Sequence, residues 1–95
     1  MLETSKVTQI IVRRLRPGAD RRQYLALTRR MLAWLSHQPG FLDHRRYEGE
    51  AGWIEQVDWV SADAARKASQ AFCETEMWPA MAAISDRGQD RIVTH

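Results

Sequence analysis

The pattern of hydrophobic and polar positions divides the first part of the chain into a strand and a helix. Residues 7–12 are mostly β-branched and apolar, which predicts a strand, and Arg16-Pro17-Gly18 provides the turn that ends it. Apolar residues then recur at helical spacing from Tyr24 to Leu35. We therefore expect an amphipathic helix over 20–37, which Gln38-Pro39-Gly40 ends.

The middle of the chain has the pattern of a hairpin followed by a second helix. Two short runs, 41–48 and 53–60, flank Gly49-Glu50-Ala51-Gly52, and glycines at such a turn are typical of a β-hairpin. Ser61 is a favourable N-cap for the helix that follows. Proline disturbs a helix interior, so we expect a break in this second helix between residue 74 and Pro79.

The end of the chain completes a recognisable order of elements. Residues 85–88 are expected to form a loop and residues 91–95 a closing strand. A single domain over 1–95 then has the order βαββαβ, which favours a ferredoxin-like α+β fold with a four-stranded antiparallel sheet and both helices on one face. Because the other face would be bare, we expect a homodimer packed sheet to sheet.

Composition narrows the class of protein. The 95 residues are 44% hydrophobic and 27% charged, with a net charge of +2, which is the balance of an ordinary soluble globular protein. No apolar run approaches the roughly 18 residues of a membrane span, and acids are scattered among the arginines. Neither a membrane nor a nucleic-acid partner is expected. The N-terminus lacks the layout of a signal peptide, so a cytoplasmic location is expected.

Cysteine and histidine usage argues against a metal site. Cys73 is the only cysteine, which excludes an internal disulfide and a multi-thiolate site. It lacks a basic neighbour, so we expect a buried and inert thiol. The spacing of the three histidines does not indicate a metal site.

Two motifs at strand boundaries carry a family resemblance. Pro39-Gly40-Phe41 opens the second strand, and Trp-Val-Ser-Ala-Asp-Ala-Ala, from Trp59 to Ala65, joins the third strand to the second helix. With the closing strand, they resemble the antibiotic biosynthesis monooxygenase-like family over nearly the whole chain. The resemblance implies a dimeric α/β barrel with a ligand pocket between the sheet and the helices of each subunit.

The same resemblance limits the expected chemistry. The family includes cofactor-independent oxygenases that act on aromatic polyketides, quinol oxygenases and haem-degrading enzymes. The haem-degrading branch uses an asparagine on the first strand, a tryptophan after the third and a histidine on the second helix. Trp59 matches the tryptophan, but the chain contains no asparagine, and residues 62–84 contain no histidine. Haem degradation is therefore not expected, and no cofactor is predicted.

The hairpin predicts which side chains share a face of the sheet. Side chains alternate across a strand, so pairing Glu48 with Trp53 fixes the remaining pairs. These pairs are Arg46 with Glu55, His44 with Val57, and Leu42 with Trp59. The resemblance places Trp59 in the pocket, and the other residues of its face are expected there with it.

A cluster of His44, Arg46 and Glu55 is the predicted catalytic group. An imidazole titrates near neutral pH, so His44 is suited to remove a hydroxyl proton from a phenol or quinol. Arg46 would stabilise the resulting anion. Cofactor-free oxygenation needs that step, because an electron-rich anion must form before it can give an electron to oxygen. Five residues are predicted to bind the substrate: Trp59, Trp53, Leu42, Tyr24 and Phe72.

Simpler interpretations stay open for these residues. Arg46 and Glu55 can form a cross-strand ion pair, His44 can be a hydrogen-bonded strand histidine, and Tyr24 can belong to the core. The sequence thus favours a small cofactor-independent monooxygenase-like protein acting on an aromatic or quinol-type molecule. The alternative is a non-catalytic ligand-binding or regulatory dimer of the same fold.

Overall fold

A computed structural model describes residues 6–49 and 52–94. Along the chain the elements are β1 (Val7–Leu15), α1 (Arg21–Leu35), β2 (Phe41–Glu48), β3 (Gly52–Trp59), α2 (Ala62–Phe72), α3 (Met77–Ile84) and β4 (Ser85–Thr94). The predicted order is confirmed, with the second helix divided in two. None of the helices within the described ranges has the length and apolarity to cross a membrane.

The four strands form one antiparallel sheet in the order β2-β3-β1-β4. Alternate residues of β1 and β3 face the helices, which bury one side of the sheet. The large apolar residues on that side are Val7, Ile11, Trp53, Val57 and Trp59. The predicted ferredoxin-like α+β architecture is confirmed.

The predicted N-cap at Ser61 is present, and α1 has an N-cap as well. The Asp20 carboxylate accepts a hydrogen bond from the backbone N–H of Arg22 at 2.9 Å, and the Ser61 hydroxyl accepts from Ala64 N–H at 3.1 Å. Such caps satisfy backbone donors that the first turn of a helix leaves unpaired. The expected helix over 20–37 is slightly shorter than predicted, because Ser36 already ends it as a C-cap.

The expected break in the second helix is confirmed. Between α2 and α3 the backbone makes a tight turn, in which Thr75 N–H donates to the Phe72 carbonyl at 3.0 Å. Pro79 is the third residue of α3 and so lies in its first turn, where no helical partner is needed for a backbone N–H. The proline therefore lies in the first turn of a new helix after the break.

The expected loop over 85–88 is wrong, because β4 already begins at Ser85. Val12 pairs with Gln89 while Arg13 pairs with Arg87, which leaves Gly88 as an extra residue in β4. Such a β-bulge absorbs one residue and lets pairing continue on both sides.

A second β-bulge, at the start of β2, changes the hairpin register from the one predicted. Glu48–Trp53, Arg46–Glu55 and His44–Val57 pair as expected, but Trp59 pairs with Phe41 and not with Leu42. Leu42 is the residue that the bulge leaves over, and it is 44% exposed. The Phe41 ring meets Trp59 edge to face at 5.9 Å instead.

The two motifs that carry the resemblance touch each other. Gly40 has φ +86°, and a Cβ on it would lie 2.7 Å from the Ala64 side chain and 2.8 Å from that of Val60. Only glycine accommodates both the left-handed backbone and this close approach. The contact joins the start of β2 to the junction between β3 and α2.

Candidate functional site

Glu55, in the middle of β3, is completely buried and is the centre of a polar cluster under α1. One carboxylate oxygen, Oε2, accepts a hydrogen bond from the Tyr24 hydroxyl at 3.1 Å. The other, Oε1, lies 2.8 Å from Nε2 of His44. Both contacts compensate the cost of removing a carboxylate from water.

Tyr24 is held as a hydrogen-bond donor. Burial, and after it the negative charge of Glu55, raises the pKa of the Tyr24 phenol well above its usual range. The hydroxyl therefore keeps its proton at neutral pH. Trp53 stacks on the Tyr24 ring with the centroids 4.3 Å apart, and the guanidinium of Arg21 lies 5.1 Å from the Trp53 ring.

His44 and Arg46 take different partners from this face of β2. The His44 side chain is almost fully buried against Glu55. Arg46 lies opposite Glu55 in the register, but its Nη1 donates to the Thr28 hydroxyl on α1 at 2.7 Å. The ion pair considered between Arg46 and Glu55 is therefore not formed. Glu55 is hydrogen-bonded to His44 and Tyr24 instead.

A second polar cluster centres on Gln9 of β1, which is 4% exposed. Its Oε1 accepts a hydrogen bond from Nε1 of Trp59 at 3.1 Å. Its Nε2 donates to the Ser69 hydroxyl on α2 and to the Asp90 carboxylate on β4, each at 3.1 Å. Because indole can only donate, Trp59 fixes which end of the Gln9 amide faces α2.

A cavity of about 30 Å³ lies between the two clusters, bounded by the sheet, α1, α2 and α3. Its polar wall residues are Gln9, Arg13, Glu55 and Ser69. The other lining residues are Ile11, Met31, Leu35, Val57, Ala68, Phe72, Cys73 and Trp78. This volume suits one or two molecules of the size of water, so an aromatic ring needs the lining to move.

The predicted site residues divide into those that line this cavity and those that do not. Glu55 and Phe72 line it. His44 and Tyr24 contact Glu55, and Arg46 is bonded to α1. Trp53 and Trp59 are packed in the core beside the cavity wall. The predicted place of Leu42 in the pocket is wrong, because the bulge leaves its side chain exposed.

Three polar wall residues were missed by the sequence analysis. Gln9 lies within the strand predicted over 7–12 and Arg13 lies just beyond it, both at inward positions of β1, and Ser69 lies on α2. A polar residue at an inward-facing strand position is the signal that would have indicated Gln9 and Arg13.

The expectation of a buried Cys73 is wrong. Cys73 is the C-cap of α2, where the chain turns toward α3, and its side chain is exposed. It lies at the rim of the cavity together with Trp78. In the part of the chain that the structure describes, no three His, Cys, Asp or Glu residues are grouped to hold a metal ion.

Among comparisons with known proteins, only the comparison with solved structures finds similar proteins, and it supports the fold. No protein-family model matches the sequence, and no curated protein matches it. A crystal structure of SnoaB, a cofactor-independent oxygenase from Streptomyces nogalater, superposes with a TM-score of 0.80 at 18% sequence identity. That alignment covers 97% of this chain and 94% of SnoaB.

Two further structures give the same result. A "putative monooxygenase" from Shewanella loihica has a TM-score of 0.74 at 14% identity, covering 96% of this chain and 94% of that one. A "putative Antibiotic biosynthesis monooxygenase" from Chloroflexus aurantiacus has a TM-score of 0.64 at 16% identity, covering 96% and 93%. The resemblance found in the sequence is thus confirmed at the level of the fold.

Proposed function

We propose that the protein is a small cofactor-independent monooxygenase-like enzyme that acts on a phenol- or quinol-type molecule between the sheet and the helices. The observation that carries this proposal is the buried Glu55 carboxylate in the wall of a mainly apolar cavity. An apolar cavity binds an aromatic ring, and a carboxylate within it can take a hydroxyl proton.

Glu55 has the hydrogen-bonding capacity for this role. A carboxylate offers about four lone pairs, and the described contacts from Tyr24 and His44 use one on each oxygen. A ligand hydroxyl can therefore donate to a remaining lone pair. This arrangement makes Glu55 the proton acceptor, while His44 and Tyr24 act as positioning residues that hold its carboxylate.

Arg13 takes the role that the sequence analysis assigned to Arg46. Its guanidinium is buried in the cavity wall, whereas Arg46 is bonded to Thr28 and does not line the cavity. A fixed positive charge in a site of low polarity stabilises a phenolate as the proton leaves. Arg13 and Glu55 together therefore favour formation of the anion.

The oxygen chemistry then needs no further cofactor. The phenolate gives one electron to O₂, and the resulting ring radical and superoxide combine, forming a C–O bond at a ring carbon that carries hydrogen. Loss of that hydrogen and cleavage of the O–O bond release water and leave a quinone carbonyl. One oxygen atom of O₂ enters the product and the other leaves as hydroxide, which becomes water with the proton held by Glu55. The substrate therefore supplies all four electrons that reduce O₂.

An aromatic ring can enter the cavity only if part of the lining moves. Cys73 and Trp78 form the rim of the cavity on either side of the turn between α2 and α3. This turn is held by a few backbone hydrogen bonds, including Glu74 N–H to the Ala71 carbonyl at 3.1 Å. We place the opening here, because a short turn costs less to displace than a sheet or a packed helix.

The outer face of the sheet supports a homodimer as the working form. Tyr47, Ile54 and Val93 expose large apolar surfaces there. Charges of both signs surround them, including Arg45 and Asp58, which allows complementary contacts with a copy related by a two-fold axis. We therefore assign this face to a second copy of the chain.

The alternative is a ligand-binding or regulatory dimer without catalysis. The small cavity and the hydrogen-bonded state of both Glu55 and Gln9 favour it, because a resting enzyme site usually holds a ready space for substrate. The two functions predict different responses to an aromatic ligand in the presence of oxygen.

Oxygen uptake over a panel of hydroquinones and polycyclic phenols tests the proposal. We expect uptake with at least one compound, and a loss of about tenfold or more in His44→Ala, because Glu55 loses the donor that positions it. His37→Ala is the matched control, since His37 is exposed at the end of α1. Binding without uptake over the whole panel would instead establish the alternative function.

A further inference from the structure

One ion pair joins α1 to the turn between α2 and α3. Arg30 on α1 donates from Nη2 to Oε1 of Glu76 at 3.0 Å, and Glu76 is the last residue of that turn. Met31, the neighbour of Arg30, lines the cavity from α1, while Cys73 and Trp78 line it from either end of the turn. The ion pair therefore links one wall of the cavity to the place where the opening is proposed.

Glu76 occupies an N-cap position without capping its helix. The two other N-caps, Asp20 and Ser61, have extended backbones, with ψ of 118° and 161°, and each accepts a hydrogen bond from the first turn of its helix. Glu76 has φ −68° and ψ −16°, which is helical, and its side chain makes no capping bond among the described residues. The carboxylate at the start of α3 is thus directed to α1.

Pro79 limits which donor of α3 a cap can take. An N-cap side chain accepts from the second or third N–H of its helix. The third residue of α3 is Pro79, which has no N–H, so the donor that remains is the N–H of Trp78. In the structure that N–H donates to the Thr75 carbonyl at 3.3 Å, a bond within the turn. Capping of α3 and the present form of the turn therefore compete for the same donor.

The aromatic contacts show which end of the turn is held less firmly. Phe72, at the end of α2, packs on Trp34 of α1 with ring centroids 5.6 Å apart. Trp78 meets the same Phe72 ring edge to face at 6.4 Å, near the upper end of the range for such pairs. Release of Glu76 would then free the start of α3, while Phe72 stays packed against α1.

We propose that Arg30 and Glu76 form a latch that holds the cavity closed. In the open form the ion pair is broken, the turn loses its own hydrogen bonds, and Glu76 takes the extended backbone of an ordinary N-cap beside the positive end of the helix dipole. An exposed ion pair contributes little to stability, so the latch is readily released. This inference rests on the proposed function for the position of the opening, and not on the oxygen chemistry.

Amide hydrogen exchange, followed by NMR without any ligand, tests the latch. The Thr75 N–H, which is bonded to the Phe72 carbonyl within the turn, reports the opening. The Ala19 N–H, which is bonded to the Arg16 carbonyl in the turn before α1, is the internal reference. The exchange rate of Thr75 relative to Ala19 then measures release of the latch, whether or not the protein has catalytic activity.

A set of variants separates the ion pair from other effects of charge. Glu76→Gln keeps the length of the side chain and removes its charge, so we expect the relative exchange rate to rise about two- to fivefold. Glu76→Ser also supplies a better N-cap, so the rise should be about tenfold or more. Arg30→Gln should match Glu76→Gln, and should have no effect when it is added to Glu76→Ser. Lys67→Gln, which breaks an exposed ion pair with Asp63 within α2, should leave the rate unchanged.

An unchanged rate in folded Glu76→Gln and Arg30→Gln would overturn the inference, as would an equal rise in Lys67→Gln or a smaller rise in Glu76→Ser than in Glu76→Gln. Oxygen uptake with the panel of hydroquinones and phenols, measured separately in air, tests the proposed function. Faster exchange in the latch variants, without uptake in any protein, supports the latch and contradicts the catalytic function. Uptake together with exchange that does not respond to the variants does the reverse.

Discussion

The two faces of the sheet differ in a way that hydrophobicity alone does not explain. Glu55 and Ile54 are neighbours in β3, yet the glutamate is completely buried under the helices and the isoleucine is 43% exposed on the outer face. The inner face keeps its carboxylate by surrounding it with donors from Tyr24 and His44. The outer face leaves apolar side chains in solvent.

A buried carboxylate on one face and exposed apolar side chains on the other indicate separate roles for the two faces. A buried carboxylate persists only where its hydrogen bonds are supplied, and its presence in a cavity wall is typical of a site for chemistry. Exposed isoleucine and tyrosine on a flat sheet are typical of a surface that a partner covers. On our proposal, the same strand therefore contributes to a ligand site on one side and to an assembly surface on the other.

Removing the buried carboxylate should have the largest effect on folding. Glu55→Leu leaves the buried Tyr24 and His44 donors without their acceptor, at about 1–3 kcal/mol each, so we expect a loss of about 3 kcal/mol or more in the free energy of unfolding. Gln56→Leu, the next residue on the opposite face, should change it by less than about 0.5 kcal/mol when both variants are made in the Ile54→Asp background, in which no second copy is expected to cover that face. Urea unfolding measures both. Similar losses would mean that the two faces are not distinct.

A charge on the outer face should break the dimer without harming the inner site. Ile54→Asp places a carboxylate in the proposed interface, where desolvation and repulsion from its copy cost several kcal/mol. We expect light scattering to show a monomer at micromolar concentration, with the fold retained by circular dichroism. Ile54→Val is the control that should stay dimeric. A monomer in the unmodified protein would contradict this use of the outer face.

The bulge at the start of β2 offers a smaller test between adjacent residues. Phe41→Ala removes the ring that packs on Trp59, and because Phe41 is only half-buried we expect a loss of about 1–2 kcal/mol. Leu42→Ala should cost less than about 0.5 kcal/mol, since Leu42 is exposed. Thermal unfolding of the two variants measures the difference. A larger cost for Leu42 would restore the register expected from the sequence.

The smallest effect concerns alkaline pH. The pKa of Tyr24 is raised in the folded protein, so above about pH 10 the unfolded chain loses this proton while the folded chain keeps it. The unfolded state then binds fewer protons, and stability falls as pH rises. We expect the stability advantage of the unmodified protein over Tyr24→Phe to shrink between about pH 9 and 11.

Tyr47→Phe is the matched control for this pH dependence. Tyr47 lies on the outer face and is exposed in a single copy of the chain, so both tyrosine variants are compared in the Ile54→Asp background, in which no second copy is expected to cover that face. Its substitution should leave a difference in melting temperature that stays nearly constant over the same pH range. A constant difference for Tyr24→Phe as well would contradict the burial of its phenol against Glu55.

The fold was largely predictable because its signals are local. The caps at Asp20 and Ser61, the glycines of the hairpin and the break before Pro79 each depend on a few neighbouring residues. The bulges at Leu42 and Gly88 were not predictable, since each depends on how one strand matches the next. Because of a shift of one residue, Phe41 and not Leu42 lies opposite Trp59.

The site was predictable only where strand pairing determines it. Pairing placed Glu55, His44 and Arg46 on one face, but which of them meets the cavity depends on the packing of α1 and α2. Arg13 was not predicted in the site, because β1 continues to Leu15, beyond the apolar run over 7–12 that predicted the strand. Such contacts between distant elements leave no local pattern in a single sequence.

The rate of oxygen uptake in Glu55→Gln tests the central claim most directly. Glutamine keeps the shape of the side chain but cannot take a proton, so we expect uptake with a phenol or quinol that the unmodified protein oxidises to fall by about 10²- to 10⁴-fold, the usual contribution of a general base. Glu48→Gln, an exposed glutamate at the end of β2, should keep the rate of the unmodified protein. Equal rates in folded Glu55→Gln and the unmodified protein would contradict the assignment of Glu55 as the proton acceptor.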